Sequence, residues 1–396
     1  MRSRLILLLP LLLLLLGCAS ASPSPPTAPS FSCAGCPSAP PWAKCGSGPG
    51  PGGCGYIPPD QPTGQPPPDL PPNPTCDGGY GRQCEDGLPP VANPSPFACS
   101  AAGSTPCGLG PSAPGQIQFA VIGDWGDNCC KPSCANYVAE MIQGWSERWP
   151  LDFIMTTGDN FYPNGGQAAL DPNMQMYDWI GPQPVAGQTP RFFPSLGNHD
   201  LYDGCCGKAY QEYFQALGAD SPTGTPRYYK YSLPGGLIDL YSLNADVSEP
   251  DGNTQDSVQA MWLKEELGKP GGAQWRIVFF HEPPFTTHSS GASPNMDWPF
   301  AEWGATVVLT GHVHAYERIV RNDFTYVTNG IGGVKGVDFI TEENGCTPID
   351  GSVVQYNGSV GAMIGVATAE ELRFCLLAVD RDHPDGICVD NFSFRR

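Results

Sequence analysis

Five short polar clusters recur in one order from residue 123 onward, and they contain residue types that bind metal ions. The clusters are Gly123-Asp124-Trp125-Gly126, Gly158-Asp159-Asn160-Phe161-Tyr162, Gly197-Asn198-His199-Asp200, Val278-Phe279-Phe280-His281 and Gly311-His312-Val313-His314. A single Asp or His in such a position is usually a turn or structural residue. Five clusters in one order are hard to attribute to chance, and together they indicate a metal site.

Each cluster follows a short apolar run that predicts a β-strand. The predicted strands are residues 116–122, 151–156, 192–196, 276–280 and 306–309. Because ligands in α/β folds gather at the carboxyl ends of strands, we expect the clusters to meet at one edge.

Helices and hairpins alternate with these strands. Residues 134–149 predict a helix whose buried face comprises Val138, Met141, Ile142 and Trp145, and residues 254–267 predict a second with Val258, Met261 and Trp262 inside. Residues 228–233 and 237–243 predict a hairpin, and 361–380 predict closing strands. The pattern indicates an α/β fold with mixed sheets.

The ordered set of clusters resembles the calcineurin-like metallophosphoesterase superfamily. Within it, the set is similar to the purple acid phosphatases, because Tyr162 stands three residues after Asp159. The stretch Gly311-His312-Val313-His314-Ala315-Tyr316-Glu317-Arg318 is close to that family's last motif. The resemblance covers roughly residues 116 to 330. It implies two mixed β-sheets packed face to face and flanked by helices, a four-layer sandwich.

The resemblance also implies a binuclear centre with seven ligands. Fe(III) would be held by Asp124, Asp159, Tyr162 and His314. A divalent ion (Fe, Zn or Mn) would be held by Asp159, Asn198, His281 and His312, with Asp159 bridging. Anionic oxygens suit Fe(III), whereas imidazoles and an amide oxygen suit the divalent ions. Two such metals can activate a water molecule and bind phosphate oxygens.

Further residues are expected near the substrate. By resemblance, His199 would hydrogen-bond the phosphoryl group and protonate the leaving alkoxide, although a role in orienting a ligand is an equal alternative. Asp200 would orient His199. His288 approximates a phosphate-contacting histidine of the family, with an ordinary surface-loop histidine as the alternative. Arg318 is expected to form a structural ion pair rather than to bind substrate.

The charge of the chain limits its partners. The formal net charge is −19, which disfavours nucleic acid and anionic membranes, so a phosphate site needs local positive charge from bound cations. The expected function is an acid phosphatase that hydrolyses small phosphate monoesters. A phosphodiesterase or nucleotidase using the same site, and a wall-associated structural glycoprotein with an inactive phosphatase domain, are the alternatives.

The N-terminus predicts secretion. Arg2 and Arg4 precede an apolar run at 5–16, and Ala19-Ser20-Ala21 offers a cleavage site, so residues 1–21 resemble a signal peptide. A retained anchor and a lipoprotein acceptor at Cys18 are less favoured alternatives. We therefore expect a secreted or extracellular protein, of the cell wall or vacuole.

Residues 22–115 form a segment rich in Cys, Pro and Gly, which precedes the predicted catalytic domain at 116–396. Of the seventeen cysteines, eight lie at or before Cys107 and eight at or after Cys129, once Cys18 is removed with the signal. Even counts favour disulfides, including staples at Cys129-Cys130 and Cys205-Cys206, over zinc ribbons. Asn357 and Asn391 are candidate glycosylation sites. The N-terminal segment is a candidate module for cell-wall or carbohydrate association.

Overall fold

The computed structural model describes most of the chain from residue 114 onward. The described ranges are 114–126, 134–185, 187–203, 206–288, 291–334, 349–379 and 383–396, with the backbone of a strand pair at Cys45–Gly46 and Gly53–Cys54. The predicted signal peptide, nearly all of segment 22–115, and Cys129, Cys130 and Cys205 lie outside the described residues.

The described core consists of thirteen strands and six α-helices. The strands are β1 Ile117–Ile122, β2 Phe153–Thr156, β3 Phe192–Pro194, β4 Tyr229–Ser232, β5 Ile238–Ser242, β6 Trp275–Phe279, β7 Val307–Thr310, β8 Tyr316–Arg321, β9 Phe324–Asn329, β10 Ser352–Tyr356, β11 Gly361–Ala367, β12 Glu371–Ala378 and β13 Ile387–Arg395. The helices are α1 Cys134–Arg148, α2 Gln167–Gln175, α3 Asn198–Leu201, α4 Lys208–Tyr213, α5 Val258–Gly268 and α6 Phe300–Trp303.

The strands form two mixed sheets. The six-stranded sheet has the order β13-β12-β11-β1-β2-β3, and the seven-stranded sheet has the order β10-β8-β9-β7-β6-β5-β4. Strands β1, β2 and β3 run parallel to one another, as do β5, β6 and β7, whereas β11 to β13 are antiparallel. This confirms the predicted α/β class with mixed sheets.

Alternation along the strands creates two apolar layers. In β6, Ile277 and Phe279 belong to the main core shared by the two sheets, whereas Val278 faces a second core that includes Leu263 of α5. The Phe193 ring of β3 packs at a tilt against the Tyr231 ring of β4, with 4.9 Å between the ring centroids, so the two sheets touch directly. Helix α1 covers the six-stranded sheet through the predicted apolar face. The sheets are therefore rigid supports for the loops at their edges.

The predicted buried face of the second helix is wrong for Val258 and Met261, which are 63 % and 54 % exposed. The half-buried Trp262 packs against the second core as predicted, and the other residues facing that side are Gln259, Ala260, Leu263 and Leu267. The helix starts four residues later than predicted, because the Ser257 hydroxyl caps it by accepting from the Ala260 N–H. Gln259 is buried because its amide bonds both backbone groups of Asn244.

Candidate metal centre

The five polar clusters lie at the carboxyl ends of five strands, as the sequence predicts. Asp124 follows β1, Asp159 and Tyr162 follow β2, and Asn198 follows β3, all in the six-stranded sheet. His281 follows β6, and His312 and His314 follow β7, in the seven-stranded sheet. The seven predicted ligands thus meet where the two sheets adjoin.

In one half of the cluster, the Tyr162 hydroxyl contacts the three other side chains. Its hydroxyl donates to Asp159 Oδ2 at 2.7 Å, and the hydroxyl oxygen lies 3.3 Å from Asp124 Oδ1 and 3.2 Å from His314 Nε2. His314 Nε2 is also 3.4 Å from Asp124 Oδ1. These four residues are the set that the resemblance assigns to Fe(III).

In the other half of the cluster, the His281 ring contacts the three other side chains. Its Nε2 lies 3.2 Å from Asp159 Oδ2 and 3.2 Å from Asn198 Oδ1. His312 Nδ1 is 3.1 Å from the same Asn198 oxygen and 3.3 Å from His281 Nε2. Asp159 Oδ2 therefore lies between both halves, in the position expected of a bridging ligand. The coordination roles themselves stay a prediction.

Backbone groups orient the ligand atoms. Asp124 and Asp159 turn one carboxylate oxygen to the cluster, while the other accepts the backbone N–H of His312 and of His199, each at 2.9 Å. The Nδ1 of His281 is 2.8 Å from the Thr157 carbonyl. Because a carbonyl only accepts, Nδ1 carries a proton, and Nε2 is the nitrogen that faces the cluster and would bind a metal.

Three ligand positions have a left-handed backbone. The φ angles are 55° at Asp124, 51° at Asp159 and 69° at His312. A non-glycine residue in this region costs about 1–3 kcal/mol, and such strain concentrates at functional sites. The remaining structure therefore holds these side chains in place against a local cost.

The electrostatics of the cluster favour bound cations. Burial lowers the pKa of His281, yet the charges of Asp159 and Asp124 raise it well above its ordinary value. Burial and the charge of His281 lower the pKa of His312 to about 4, so its imidazole is neutral above that pH. A site that attracts positive charge and keeps a neutral imidazole is suited to a metal ion.

A buried polar network behind the ligands was not anticipated from the sequence. The Asn160 amide group donates to Asp200 Oδ2 at 2.7 Å and to the Ser195 carbonyl at 2.8 Å. Asp200 also accepts the N–H groups of Asn160, Phe161 and Gly197, each at 2.9 Å. Asp200 thus ties the loop after β2 to the loop after β3. Its expected contact with His199 is replaced by these bonds.

His199 lies on the open side of the cluster. Its half-buried ring is 4.3 Å from the Tyr162 ring and 5.4 Å from the Tyr202 ring, between centroids. Nδ1 is 2.8 Å from the Pro163 carbonyl, so this nitrogen donates and Nε2 remains the nitrogen that can exchange a proton.

The remaining predicted residues lie around the site or away from it. His288 lies in the loop after β6, seven residues beyond His281, and its backbone N–H donates to Thr286 Oγ1 at 3.1 Å. Its substrate role stays a prediction. Arg318 forms a two-pronged ion pair with Asp390, at 2.7 and 3.0 Å. Asn391 is exposed on the edge strand β13, and Asn357 is half-buried.

The donor set fits two metal ions of the predicted kinds. Two carboxylates, a phenol, an amide oxygen and three imidazoles form a mixed nitrogen and oxygen set, which Fe, Zn and Mn accept and Mg disfavours. Asp124, Asp159 and His281 each place a donor atom within 4.8 Å of the others.

No helix in the described part of the chain has the length and apolar character needed to cross a membrane.

Comparisons with known proteins agree with this geometry. Residues 117–316, about half of the chain, match the family model for calcineurin-like phosphoesterases. Purple acid phosphatase 17 of Arabidopsis thaliana is 26 % identical over 241 residues, which cover 55 % of this chain and 69 % of that protein. Purple acid phosphatase 23 of the same plant is 28 % identical over 186 residues, which cover 41 % of this chain and only 39 % of that protein.

A solved structure shares the fold. Purple acid phosphatase PPD1 from yellow lupin (Lupinus luteus) seeds superposes with a TM-score of 0.54 at 18 % identity, covering 73 % of this chain and 55 % of that one. The family match, the two mixed sheets and the ordered clusters at their edge lead to one conclusion. The chain belongs to the calcineurin-like phosphoesterase family.

Proposed function

We propose that the protein is a secreted acid phosphatase that hydrolyses small phosphate monoesters with a binuclear Fe(III)–M(II) centre. The observation that carries the proposal is the position of the Tyr162 hydroxyl, within 3.3 Å of donor atoms of Asp124, Asp159 and His314. A phenol in contact with two carboxylates and an imidazole is the donor set that suits a ferric ion.

The chain's own residues divide the work. Asp124, Tyr162 and His314 would hold one ion, Asn198, His281 and His312 would hold the other, and Asp159 would be shared. When bound, the two ions would supply Lewis acidity toward the phosphate oxygens and toward the attacking water. The bonds from backbone groups to Asp124, Asp159 and His281 keep each donor aimed at the cluster before substrate arrives.

His199 is the proposed proton donor to the leaving alkoxide. The Pro163 carbonyl fixes the proton on Nδ1, which leaves Nε2 to hydrogen-bond a phosphate oxygen and to release a proton during bond cleavage. His288, in the loop after β6, is proposed as a second phosphate contact.

The compartment is proposed from the N-terminal signal and the cysteines. The Sγ atoms of Cys375 and Cys388 lie 2.9 Å apart on neighbouring strands, β12 and β13, a placement suited to a disulfide in an oxidising compartment. Asn391 and Ser393 are both exposed on β13, so this acceptor is open to glycosylation. The net charge of −19 supports small phosphate esters rather than nucleic acid as partners.

Metal analysis combined with a substrate panel tests the proposal. The purified protein should contain two metal ions per chain, one of them iron, and should hydrolyse aryl and alkyl monoesters best at acid pH. Diesters and nucleotides in the same panel separate a monoesterase from the phosphodiesterase and nucleotidase alternatives. Iron-free protein that is active only at alkaline pH with added Mg²⁺ would contradict the ferric centre. Metal-loaded protein inactive on every ester would support the structural-glycoprotein alternative.

A further inference from the structure

Glu317 is a buried carboxyl group next to the metal centre that no step of the proposed reaction uses. It lies on β8, three residues after His314, and is fully buried. Within the described ranges, no Lys, Arg or His pairs with it. Burying a carboxyl group without a cation is costly unless hydrogen-bond donors replace the lost water. The groups that donate hydrogen bonds to Glu317 therefore identify the segments of the chain that this carboxylate fixes in place.

Five donors surround Glu317, and three of them come from the loop after β6. Thr286 Oγ1 donates to Oε2 at 3.1 Å, the Thr287 N–H donates to Oε2 at 2.9 Å, and the Thr287 hydroxyl donates to Oε1. Ser352 and Gln355 of β10 donate to Oε1 at 2.6 and 3.3 Å. Glu317 therefore fastens the loop that leaves ligand His281 to the seven-stranded sheet.

The hydroxyls of Thr286 and Thr287 connect Glu317 to two further backbone N–H groups. Each donates its hydrogen to Glu317 and uses its oxygen to accept a backbone N–H. Thr286 Oγ1 accepts from His288 at 3.1 Å, and Thr287 Oγ1 accepts from Ile349 at 3.2 Å. Glu317 is thus two hydrogen bonds away from the backbone of His288.

The contacts of Glu317 with the loop lie on a different face of β8 from the contacts between the two sheets. Side chains alternate along β8, so Glu317 points to one face and its neighbours Tyr316 and Arg318 point to the other. Both neighbours bond Asp390 on β13 of the six-stranded sheet, the Tyr316 hydroxyl at 2.7 Å. Asp390 is also fully buried, and its side-chain bonds to described residues go to Tyr316, Arg318 and Asn391 rather than to the loop.

We propose that Glu317 is a positioning residue that holds the 281–288 loop, and through it His288, in the geometry that binds the phosphate group of the substrate. The proposal rests on the proposed phosphatase function. It assigns Glu317 a role in substrate binding and leaves the metal ligands and the proton transfer to other residues.

The test compares Glu317→Gln with Asp390→Asn, a matched loss of a buried carboxylate that lies on β13 and bonds the residues on the opposite face of β8. In Glu317→Gln, hydrogen exchange at the non-proline amides of residues 282–288 should become faster. KM for an aryl phosphate should rise about tenfold, while kcat changes less than about twofold and the metal content stays unchanged. Asp390→Asn should lower the melting temperature and leave loop exchange and KM unchanged. Thr287→Val, which replaces the hydroxyl with a methyl group and keeps the Thr287 N–H, should reproduce part of the Glu317→Gln effect. This variant also provides the test if Glu317→Gln does not fold.

A double-mutant cycle asks whether the effect passes through His288. His288→Ala should raise KM, and adding Glu317→Gln to it should cause little further increase. Unchanged KM in His288→Ala, independent effects of the two changes, or an equal rise of KM in Asp390→Asn would overturn the proposal. A wild-type protein inactive on all esters would defeat the proposed function instead. Unchanged loop exchange in Glu317→Gln would still refute the positioning role in that case.

Discussion

The Tyr162 hydroxyl lies between the two acidic ligands and His314, and its ring lies against His199. A phenolate bound to Fe(III) absorbs visible light, so we expect the oxidised protein to be purple to pink. Tyr162→Phe should remove the visible band and leave the fold intact, with some activity preserved by the remaining ligands. Absorption spectroscopy and circular dichroism measure the two properties.

Tyr213→Phe is the control for this change, because Tyr213 is a half-buried tyrosine of α4 whose ring packs on Phe214. It should keep the colour. A Tyr162→Phe protein that stays coloured would contradict the ligand role. A colourless wild-type protein that contains iron and is active after oxidation would do the same.

His199 offers a second residue-level prediction. His199→Ala should lower kcat by about 10²-fold or more on alkyl phosphates, because their leaving groups need a proton, and by less on activated aryl phosphates. Both metals should stay bound, since the His199 side chain is outside the seven ligands. Steady-state kinetics across leaving groups and metal analysis test this. Equal losses on both ester types would exclude proton donation, and loss of metal would indicate a structural role.

At the level of elements, the loops after the strands depend on glycines that have no room for a side chain. A Cβ on Gly197 would lie 2.2 Å from the Asp159 backbone nitrogen and 2.3 Å from its Oδ1. The φ of Gly197 is −115°, which any residue adopts, so Gly197→Ala changes only the space available. We expect the displaced Asp159 to weaken metal binding and to abolish most activity.

Gly166→Ala is the matched control, because a Cβ there would meet only Asn164 Oδ1, at 3.6 Å, and φ is −73°. Metal content and activity should match the wild type in this variant. Full metal occupancy in Gly197→Ala would contradict the prediction, because it would show that the loops can move to accommodate the added Cβ without loss of the metal site.

Strands that carry ligands were the predictable elements. A buried parallel strand is a continuous apolar run, and the Gly-Asp, Gly-Asn or Gly-His pair after it marks its end. The hairpin of β8 and β9 was missed because Glu317 and Arg318 give β8 the polarity of a loop. Their charges are matched by donors at Thr286 and by Asp390, which are distant in sequence. The rotation of α5 was missed for a similar reason, since Gln259 is buried by bonds to Asn244.

Side-chain roles were predictable where one residue type suits one chemistry. The seven candidate ligands were assigned by the family resemblance that the ordered clusters carry, and the structure brings their side chains together. Asp200 was assigned to His199 because the two are adjacent in sequence. The side chains of adjacent residues point in different directions, however. Asp200 instead accepts hydrogen bonds from the backbone and side chain of Asn160, in the loop after β2.

For the whole molecule, the domain division is still a prediction. Every candidate ligand lies after residue 116, so residues 116–396 expressed alone in an oxidising host should bind two metals and hydrolyse aryl phosphates. Comparison of kcat and KM with the full-length protein tests this. A fragment that folds and binds metal yet is inactive would place part of the site before residue 116. Retention of only the full-length protein on cell-wall material would support a binding role for that segment.

The division of the ligands between the two sheets also affects how long the protein survives. Four donors follow strands of one sheet and three follow strands of the other, so bound ions fasten the two sheets together at that edge. Ions that bind only the native state add to its stability through mass action. We therefore expect protein that has not yet acquired metal to open more readily at this edge and to expose its loops to proteases. Under the proposed function, metal supply during secretion would then control how much of the protein persists, in addition to how much of it is active.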